Sequence, residues 1–331
     1  MSYAANTIHF ANATSGEIVL GASANYGSTT IDTTNGILDM RGQTDLELGA
    51  VTGSGTIKNF SVSAAGTLVV GSLNSDFQFD GTLSSDYTSG LLNVTKMGSG
   101  NMTLTNDNSA NILGTLLISG GNVTLSGSTA KVGFLTDTLS ANGSLTLDNR
   151  VTPLNNRLGG TTAITGGTRT LSFQGGKLNY FGNNTAATSE ALGTVTPLAG
   201  SSALNITPGA GASTSITLGT LTASSTTNTG TLTITAVGAS AILGGTAGAN
   251  HVNVTATTAG LTGNIRPDII GIDSNNPVGG FVTSDTNGLR VYTSADTALG
   301  AFTPAGTYLG TATPGGHHPD GRHRLECRGH Q

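Results

Sequence analysis

The segment 114–126 reads Gly-Thr-Leu-Leu-Ile-Ser-Gly-Gly-Asn-Val-Thr-Leu-Ser and holds two copies of one short unit. In each copy a glycine precedes apolar residues that are interleaved with Thr, Ser or Asn. A period of two places the apolar side chains on one face of a β-strand and the hydroxyl groups on the other. Glycine supplies a corner where the backbone needs positive φ or a close approach. Strands this short bury a core only by stacking, so the unit predicts a β-solenoid.

Related units recur on both sides of this segment, at 66–70, 100–105, 143–148 and 230–235. Their spacing is irregular, which indicates two or three strands per coil with turns of variable length and excludes a strict hexapeptide β-helix. Coils of ~20–25 residues would give residues 1–262 on the order of eleven coils, and ~4.8 Å per coil makes a rod roughly 50 Å long. The inward positions are predicted to be buried; in the quoted segment they are Leu116, Ile118, Val123 and Leu125.

The composition excludes several classes of protein. Only 9% of the 331 residues are charged and the net charge is −5, so simple disorder is disfavoured and no basic stripe is available for a nucleic-acid backbone. No apolar run approaches the ~18 residues of a membrane-spanning helix. The single cysteine, Cys327, excludes an intrachain disulfide.

Changes in composition suggest three regions. Residues 1–262 are predicted to form the β-helix, and residues 263–310 a β-rich C-terminal cap that hides the last open layer. Residues 311–331 differ so much from the rest that they are predicted to be a disordered tail of non-native or vector-derived origin. Imidazole and thiolate groups in this tail could chelate a metal, but no Cys-x-x-Cys pair fixes a geometry and no metal site is predicted there; the groups are those of His317, His318, His323, Cys327 and His330.

Residues 92–125 combine Lys96, a Gly-x-Gly turn at 98–100, a strand, an Asn-rich loop and a second strand that ends in a Gly-Gly corner. This pattern resembles the bacterial autotransporter-associated β-strand repeat. The stretches 156–159, 189–193, 206–211 and 216–219 resemble the region that follows such repeats in large bacterial surface proteins. The resemblance implies a right-handed parallel β-helix, secreted or displayed at the bacterial cell surface, and carries no catalytic residues. Since the chain shows neither a signal peptide nor an anchor, we expect a passenger fragment.

Three features could carry chemistry, and each has a simpler structural explanation. Asp76, Asp80 and Asp86 are the nearest approach to a carboxylate cluster, and turn residues that cap backbone groups have the same pattern. The glycine triplets 98–100 and 209–211 resemble phosphate loops, yet no helix follows either, so we interpret both as solenoid corners.

The threonine ladder 231–235 is reminiscent of ice-binding β-solenoids, which repeat a Thr pair in every coil at a fixed period. The irregular spacing of the units argues against such a face here. Outward Thr, Ser and Asn could instead bind glycans, although no aromatic platform for a sugar ring is evident in the sequence.

These observations predict a non-enzymatic structural rod, a passenger-like stalk or adhesin fragment located outside the cell or at the bacterial surface. The alternatives are a carbohydrate-active β-helix enzyme, either a polysaccharide lyase or a hydrolase, and a self-assembling extracellular fibre. No catalytic, cofactor-binding or metal-binding residues are assigned, and no cofactor is expected. Glycans and surface proteins of a host or the environment are the expected partners. We also expect end-to-end self-association, because a bare first coil exposes unpaired strand edges.

Overall fold

The computed structural model describes residues 6–9, 16–20, 26–159, 169–222, 225, 228–256, 265–293 and 296. Within these ranges the named elements are all β-strands. The first fourteen are β1 (Asn6–His9), β2 (Gly16–Ile18), β3 (Tyr26–Asp32), β4 (Gly36–Asp39), β5 (Leu46–Thr52), β6 (Thr56–Asn59), β7 (Gly66–Val70), β8 (Phe77–Phe79), β9 (Thr82–Ser85), β10 (Leu92–Lys96), β11 (Asn101–Leu104), β12 (Asp107–Ile118), β13 (Gly121–Ser126) and β14 (Lys131–Ser140). The others are β15 (Gly143–Asp148), β16 (Thr170–Gln174), β17 (Lys177–Phe181), β18 (Thr188–Ala191), β19 (Thr194–Ala199), β20 (Ser201–Thr207), β21 (Thr214–Leu218), β22 (Thr220–Leu221), β23 (Thr231–Ala236), β24 (Ile242–Leu243), β25 (His251–Ala256), β26 (Arg266–Asp273), β27 (Asn276–Asp285) and β28 (Gly288–Val291).

Two ten-stranded sheets and two four-stranded sheets contain these strands. The first sheet has the order β1-β3-β5-β7-β10-β12-β14-β16-β19-β22, and the second has β8-β11-β13-β15-β17-β20-β23-β26-β27-β28. The third sheet is β2-β4-β6-β9 and the fourth is β18-β21-β25-β24. Because consecutive coils add neighbouring parallel strands to the same sheet, the chain forms a β-solenoid, as the repeated unit predicts. Nine steps of ~4.8 Å make the first sheet about 43 Å long.

The apolar positions of the first and second sheets meet in one continuous core. Leu116 and Ile118 on β12, and Val123 and Leu125 on β13, are all buried, which confirms the alternation read from the sequence. The corner between these strands requires glycine. Gly121 has φ of 66°, and a Cβ at this position would lie 2.4 Å from the carbonyl oxygen of Gly100 in the preceding coil.

Parallel pairing continues to β26, where residues 269–272 pair with residues 232–235 of β23. β27 then pairs antiparallel with β26, and β28 pairs antiparallel with β27. The described residues between 265 and 293 are therefore β-rich and change the pairing direction at the end of the second sheet. The predicted tail 311–331 and its histidines lie outside the described residues. In the part of the chain that the structure describes, no helix is long and apolar enough to cross a bilayer.

Candidate functional site

The three aspartates that came nearest to a carboxylate cluster in the sequence each contact a neighbouring polar group of the solenoid. Asp76 and Asp80 flank β8, and each binds the next coil: Asp76 Oδ1 accepts a hydrogen bond of 2.8 Å from Asn101 N, and Asp80 Oδ1 accepts one of 2.5 Å from Thr105 Oγ1. Asp86 lies beyond β9, where its carboxylate is 3.5 Å from Lys58 Nζ. The contacts of Asp76 and Asp80 are those of turn residues that cap the neighbouring layer.

Both glycine triplets connect strands. The triplet 98–100 lies between β10 and β11, and the triplet 209–211 lies between β20 and β21. Beside the first triplet an open groove of about 480 Å³ is lined by Gly98, Ser99, Ser119, Gly120, Gly121 and Asn142. Lys96 is buried next to it, and its Nζ donates to the carbonyl oxygens of Met97 (2.6 Å), Gly98 (3.3 Å) and Gly120 (3.4 Å). Burial lowers the pKa of Lys96, and the three carbonyl oxygens accept the hydrogen bonds of its side-chain nitrogen.

Among the residues with defined placement, no group of three or more His, Cys, Asp or Glu side chains could hold a metal ion. The glycine groove likewise presents hydroxyl, amide and backbone groups without a titratable side chain in its lining.

The structure does assemble an aromatic platform, which the sequence did not reveal. We call it the aromatic corner: Phe60 and Tyr87, with Arg41, Lys58 and Asp86 around them. The two rings follow neighbouring strands of the third sheet, because Asn59 pairs with Ser85 between β6 and β9. Their centroids are 5.5 Å apart in an edge-to-face arrangement, and 43% of Phe60 and 39% of Tyr87 remain exposed. The only signal in the sequence is an aromatic residue shortly after each of two strands.

Two buried polar side chains fix the loops of the aromatic corner through hydrogen bonds to their backbone. Asp39 is buried, and its Oδ1 accepts 3.0 Å hydrogen bonds from both Phe60 N and Arg41 N. Asn59 is also buried, and its Nδ2 donates to the carbonyl oxygens of Ala64 (2.9 Å) and Gly90 (3.0 Å). One aspartate and one asparagine thus fix the two loops that carry the rings.

Two cations and three anions surround the rings of the aromatic corner. The guanidinium of Arg41 lies 5.5 Å from the centre of the Phe60 ring and the ammonium of Lys58 lies 5.1 Å from it. Arg41 also pairs with Glu17 at 2.5 Å. Burial opposes the charge of Asp39, yet hydrogen bonds from Phe60 and Arg41 outweigh it and lower the pKa of this carboxyl group. Burial likewise opposes the charge of Lys58, and the contact with Glu17 together with the charge of Asp86 raises its pKa.

A buried ionic cluster lies inside the solenoid. Three of its charged residues come from β14, from the residue just before β16 and from β18. Asp137 points inward from β14 and forms a fully buried ion pair with Arg169. The buried carboxylate of Glu190 accepts hydrogen bonds from Arg157 N (2.8 Å) and Leu158 N (3.0 Å). Burial raises the pKa of Glu190 to about 7 against these hydrogen bonds, and it raises the pKa of Asp137 against the charge of Arg169.

The buried guanidinium of Arg157 completes this cluster by binding the loop that precedes it. Its Nε donates to Asn149 Oδ1 at 2.8 Å, and its Nη2 donates to the carbonyl oxygens of Gly127 (3.0 Å) and Thr152 (3.1 Å). The segments 156–159 and 189–193, which carry part of the family resemblance, are therefore joined through Glu190. The cluster is enclosed and binds the segment 149–159 to the coils on either side.

No family model matches this chain, and neither a curated protein nor a solved structure shows significant similarity to it.

Proposed function

We propose that the protein is a non-enzymatic structural rod of the secreted or surface-displayed kind, a passenger-like stalk or adhesin. The observation that supports this most is the uninterrupted ladder of parallel strands in the first sheet, from β1 to β22. Such a stack gains stability from each neighbouring pair of layers and suits a spacer of defined length. The turn contacts of Asp76 and Asp80 favour the rod over the alternative of a polysaccharide lyase or hydrolase.

We propose a right-handed coil, in keeping with the handedness rule for parallel crossover connections. We further propose that the antiparallel strands β27 and β28 act as its C-terminal cap. Antiparallel strands laid on the last parallel strand hide its free edge, which would otherwise pair with another chain.

The adhesive contact that we propose is a glycan bound at the aromatic corner. A sugar ring has an apolar face that packs on an aromatic side chain and hydroxyl groups that need polar partners at its rim. Phe60 and Tyr87 provide the first, while Arg41, Lys58 and Asp86 provide the second. The loops are held by Asp39 and Asn59, so little conformational entropy is lost when a ligand binds.

A binding experiment with a matched control tests this proposal. The full chain and the variants Phe60→Ala and Tyr87→Ala would be applied to a panel of immobilised glycans that includes pectin, alginate and host-type oligosaccharides. Phe281→Ala is the control, because Phe281 is exposed to a similar degree (45%) but lies on β27. We expect glycan binding that both corner variants lose and the control retains. If the protein cleaves any of these polysaccharides and Asp76→Asn or Asp80→Asn abolishes the cleavage, the protein is an enzyme and the proposal of a non-enzymatic rod is wrong.

A further inference from the structure

Threonines of the first sheet stand in columns on its outer face. Thr115 on β12 pairs with Thr136 on β14, Thr136 pairs with Thr170 on β16, and the ladder continues through Thr194 on β19 to Thr220 on β22. A second column, two residues further along, comprises Thr138, Ser172, Thr196 and Thr222, which follows β22 directly. We call these nine residues the threonine array. On β12 the corresponding position is Leu117, which pairs with Thr138.

The register of this array is regular although its spacing in the sequence is not. The chain takes a much longer path from Thr136 to Thr170 than from Thr115 to Thr136, because the segment 149–169 intervenes. Across this difference in chain length the strands still pair residue for residue. The irregular spacing was the argument against a repeating Thr pair, and the register removes that argument. The repeat lies in the first sheet, whereas the ladder 231–235 belongs to the second, where Thr233 and Thr235 pair with Ala203 and Asn205.

The hydroxyl groups of the array are largely free to bind something outside the chain. Within the described residues, the side-chain hydroxyls of Thr136, Thr138 and Thr170 have no hydrogen-bond partner, and the same is true of Thr115, Thr194 and Thr220. As far as the described residues go, the side-chain hydrogen bond within the array is the one of 2.9 Å between Thr196 and Thr222.

Ser172 adds a separate observation. Its outward side chain is only 7% exposed, recessed between its neighbours Thr138 and Thr196, and its hydroxyl also has no partner among the described residues. Because this hydroxyl has no partner in the described chain, its hydrogen bonds are left to water at the outer face.

The chemistry of this face excludes most other ligands. From β12 to β22 the two columns carry no charged and no aromatic side chain, so they offer neither ion pairing nor a platform for a sugar ring. The threonines repeat a hydroxyl and a methyl group at ~4.8 Å from coil to coil and at about 6.6 Å along a strand, and the exceptions in the second column are Leu117 and Ser172. Threonine is stiff at χ1, so its hydroxyl is held in a fixed place. A hydroxyl both donates and accepts, as a lattice of water molecules requires.

We propose that the threonine array binds ice. A surface of ice is a rigid, uncharged and periodic array of donors and acceptors, and within the described residues the threonine array is a periodic and uncharged face on which most hydroxyls have no partner in the chain. The methyl groups between the hydroxyls pack against the ice surface and exclude liquid water from the contact. This inference does not depend on the rod being an adhesin.

Freezing-point hysteresis and inhibition of ice recrystallisation by the purified full chain test the proposal. The array variant is Thr194→Tyr with Thr196→Tyr, which places two bulky rings on one rung. The control is Thr233→Tyr with Thr235→Tyr, since this pair has the same Thr-x-Thr pattern and faces outward on β23. We expect activity in the parent chain and in the control, and its loss in the array variant. Should the melting temperature show that the tyrosine pair does not fold, Thr194→Val with Thr196→Val replaces it and should also reduce the activity. A parent chain that is inactive, or a folded array variant with full activity, overturns the proposal.

Discussion

The outer faces of the two long sheets are built from similar residues but use them differently. On the second sheet the polar groups bind one another: Asn122 Nδ2 donates to Asn101 Oδ1 at 2.6 Å, and Thr146 Oγ1 donates to Asn122 Oδ1 at 2.9 Å. On the first sheet Thr136 and Thr170 leave their hydroxyl groups unused within the described residues. On the second sheet, asparagine and threonine side chains therefore stabilise the stacked coils by binding one another. On the first sheet, threonine hydroxyls without such a partner remain available for a ligand.

The inner faces differ as well. In the centre of the second sheet the inward residues are apolar, as in Val123, Leu125, Leu145 and Leu147. The first sheet places Lys96 and Asp137 among its inward positions. Each of these charged groups has a partner beside it. The side-chain nitrogen of Lys96 donates to the carbonyl oxygens of Met97, Gly98 and Gly120, and Asp137 forms an ion pair with Arg169. A charge is tolerated inside the solenoid only where the structure supplies its partner.

The largest effect is expected from a charge placed on the inner face of the second sheet. Leu125→Asp would bury a carboxylate with no partner and remove an apolar side chain, so it should lower the free energy of unfolding by several kcal/mol. The control is Thr233→Asp, since Thr233 faces outward from a strand of the same sheet and should change stability by less than about 0.5 kcal/mol. Denaturant unfolding of both variants measures the difference. Equal stability of the two would place Leu125 outside the core.

The comparison also shows how far the sequence predicts this molecule. Period-two alternation was sufficient to predict the buried positions Leu116, Ile118, Val123 and Leu125, because the assignment of side chains to the two faces of a strand is a local property of its sequence. The threonine columns could not be predicted, since register between coils depends on loops whose lengths differ. The pairing of Phe60 with Tyr87 was missed for the same reason: it is a contact between coils. The contact of Glu190 with Arg157 spans two dissimilar segments and has no periodic signature.

A change of intermediate size in the free energy of unfolding is expected from pH, because the carboxyl group of Glu190 is buried in the interior, which disfavours its ionised form. The pKa of Glu190 is raised to about 7 from its ordinary value of 4.5 by burial, so the folded protein binds a proton more tightly than the unfolded chain does. Stability from this group is therefore fully present below about pH 4.5 and is lost as the pH rises through 7, by about 3 kcal/mol in total at 1.36 kcal/mol per pKa unit. Asp137, whose pKa is also raised by burial, contributes in the same direction.

Unfolding free energies between pH 5 and 8 measure this effect, and Glu190→Gln separates the glutamate from the aspartate. The amide cannot ionise, so in this variant the free energy of unfolding should fall much less as the pH rises. The fall that remains is the contribution of Asp137. A parent protein whose stability is flat or rises over this range would show that the hydrogen bonds from Arg157 N and Leu158 N prevail over burial.

The smallest effect tests the contrast between the outer faces directly, with one substitution made in each sheet. Thr146→Val removes the hydroxyl that donates to Asn122 Oδ1 and should lower the free energy of unfolding by about 1 kcal/mol, the usual net contribution of one hydrogen bond. Thr136→Val removes a hydroxyl that has no partner among the described residues, so it should change the stability by less than about 0.5 kcal/mol. Both changes keep the β-branched shape, so strand propensity and packing volume cancel in the comparison. Thermal unfolding of the two variants beside the parent chain measures the difference. If Thr136→Val costs as much as Thr146→Val, the hydroxyls of the first sheet already serve stability, and the distinction between the two faces fails.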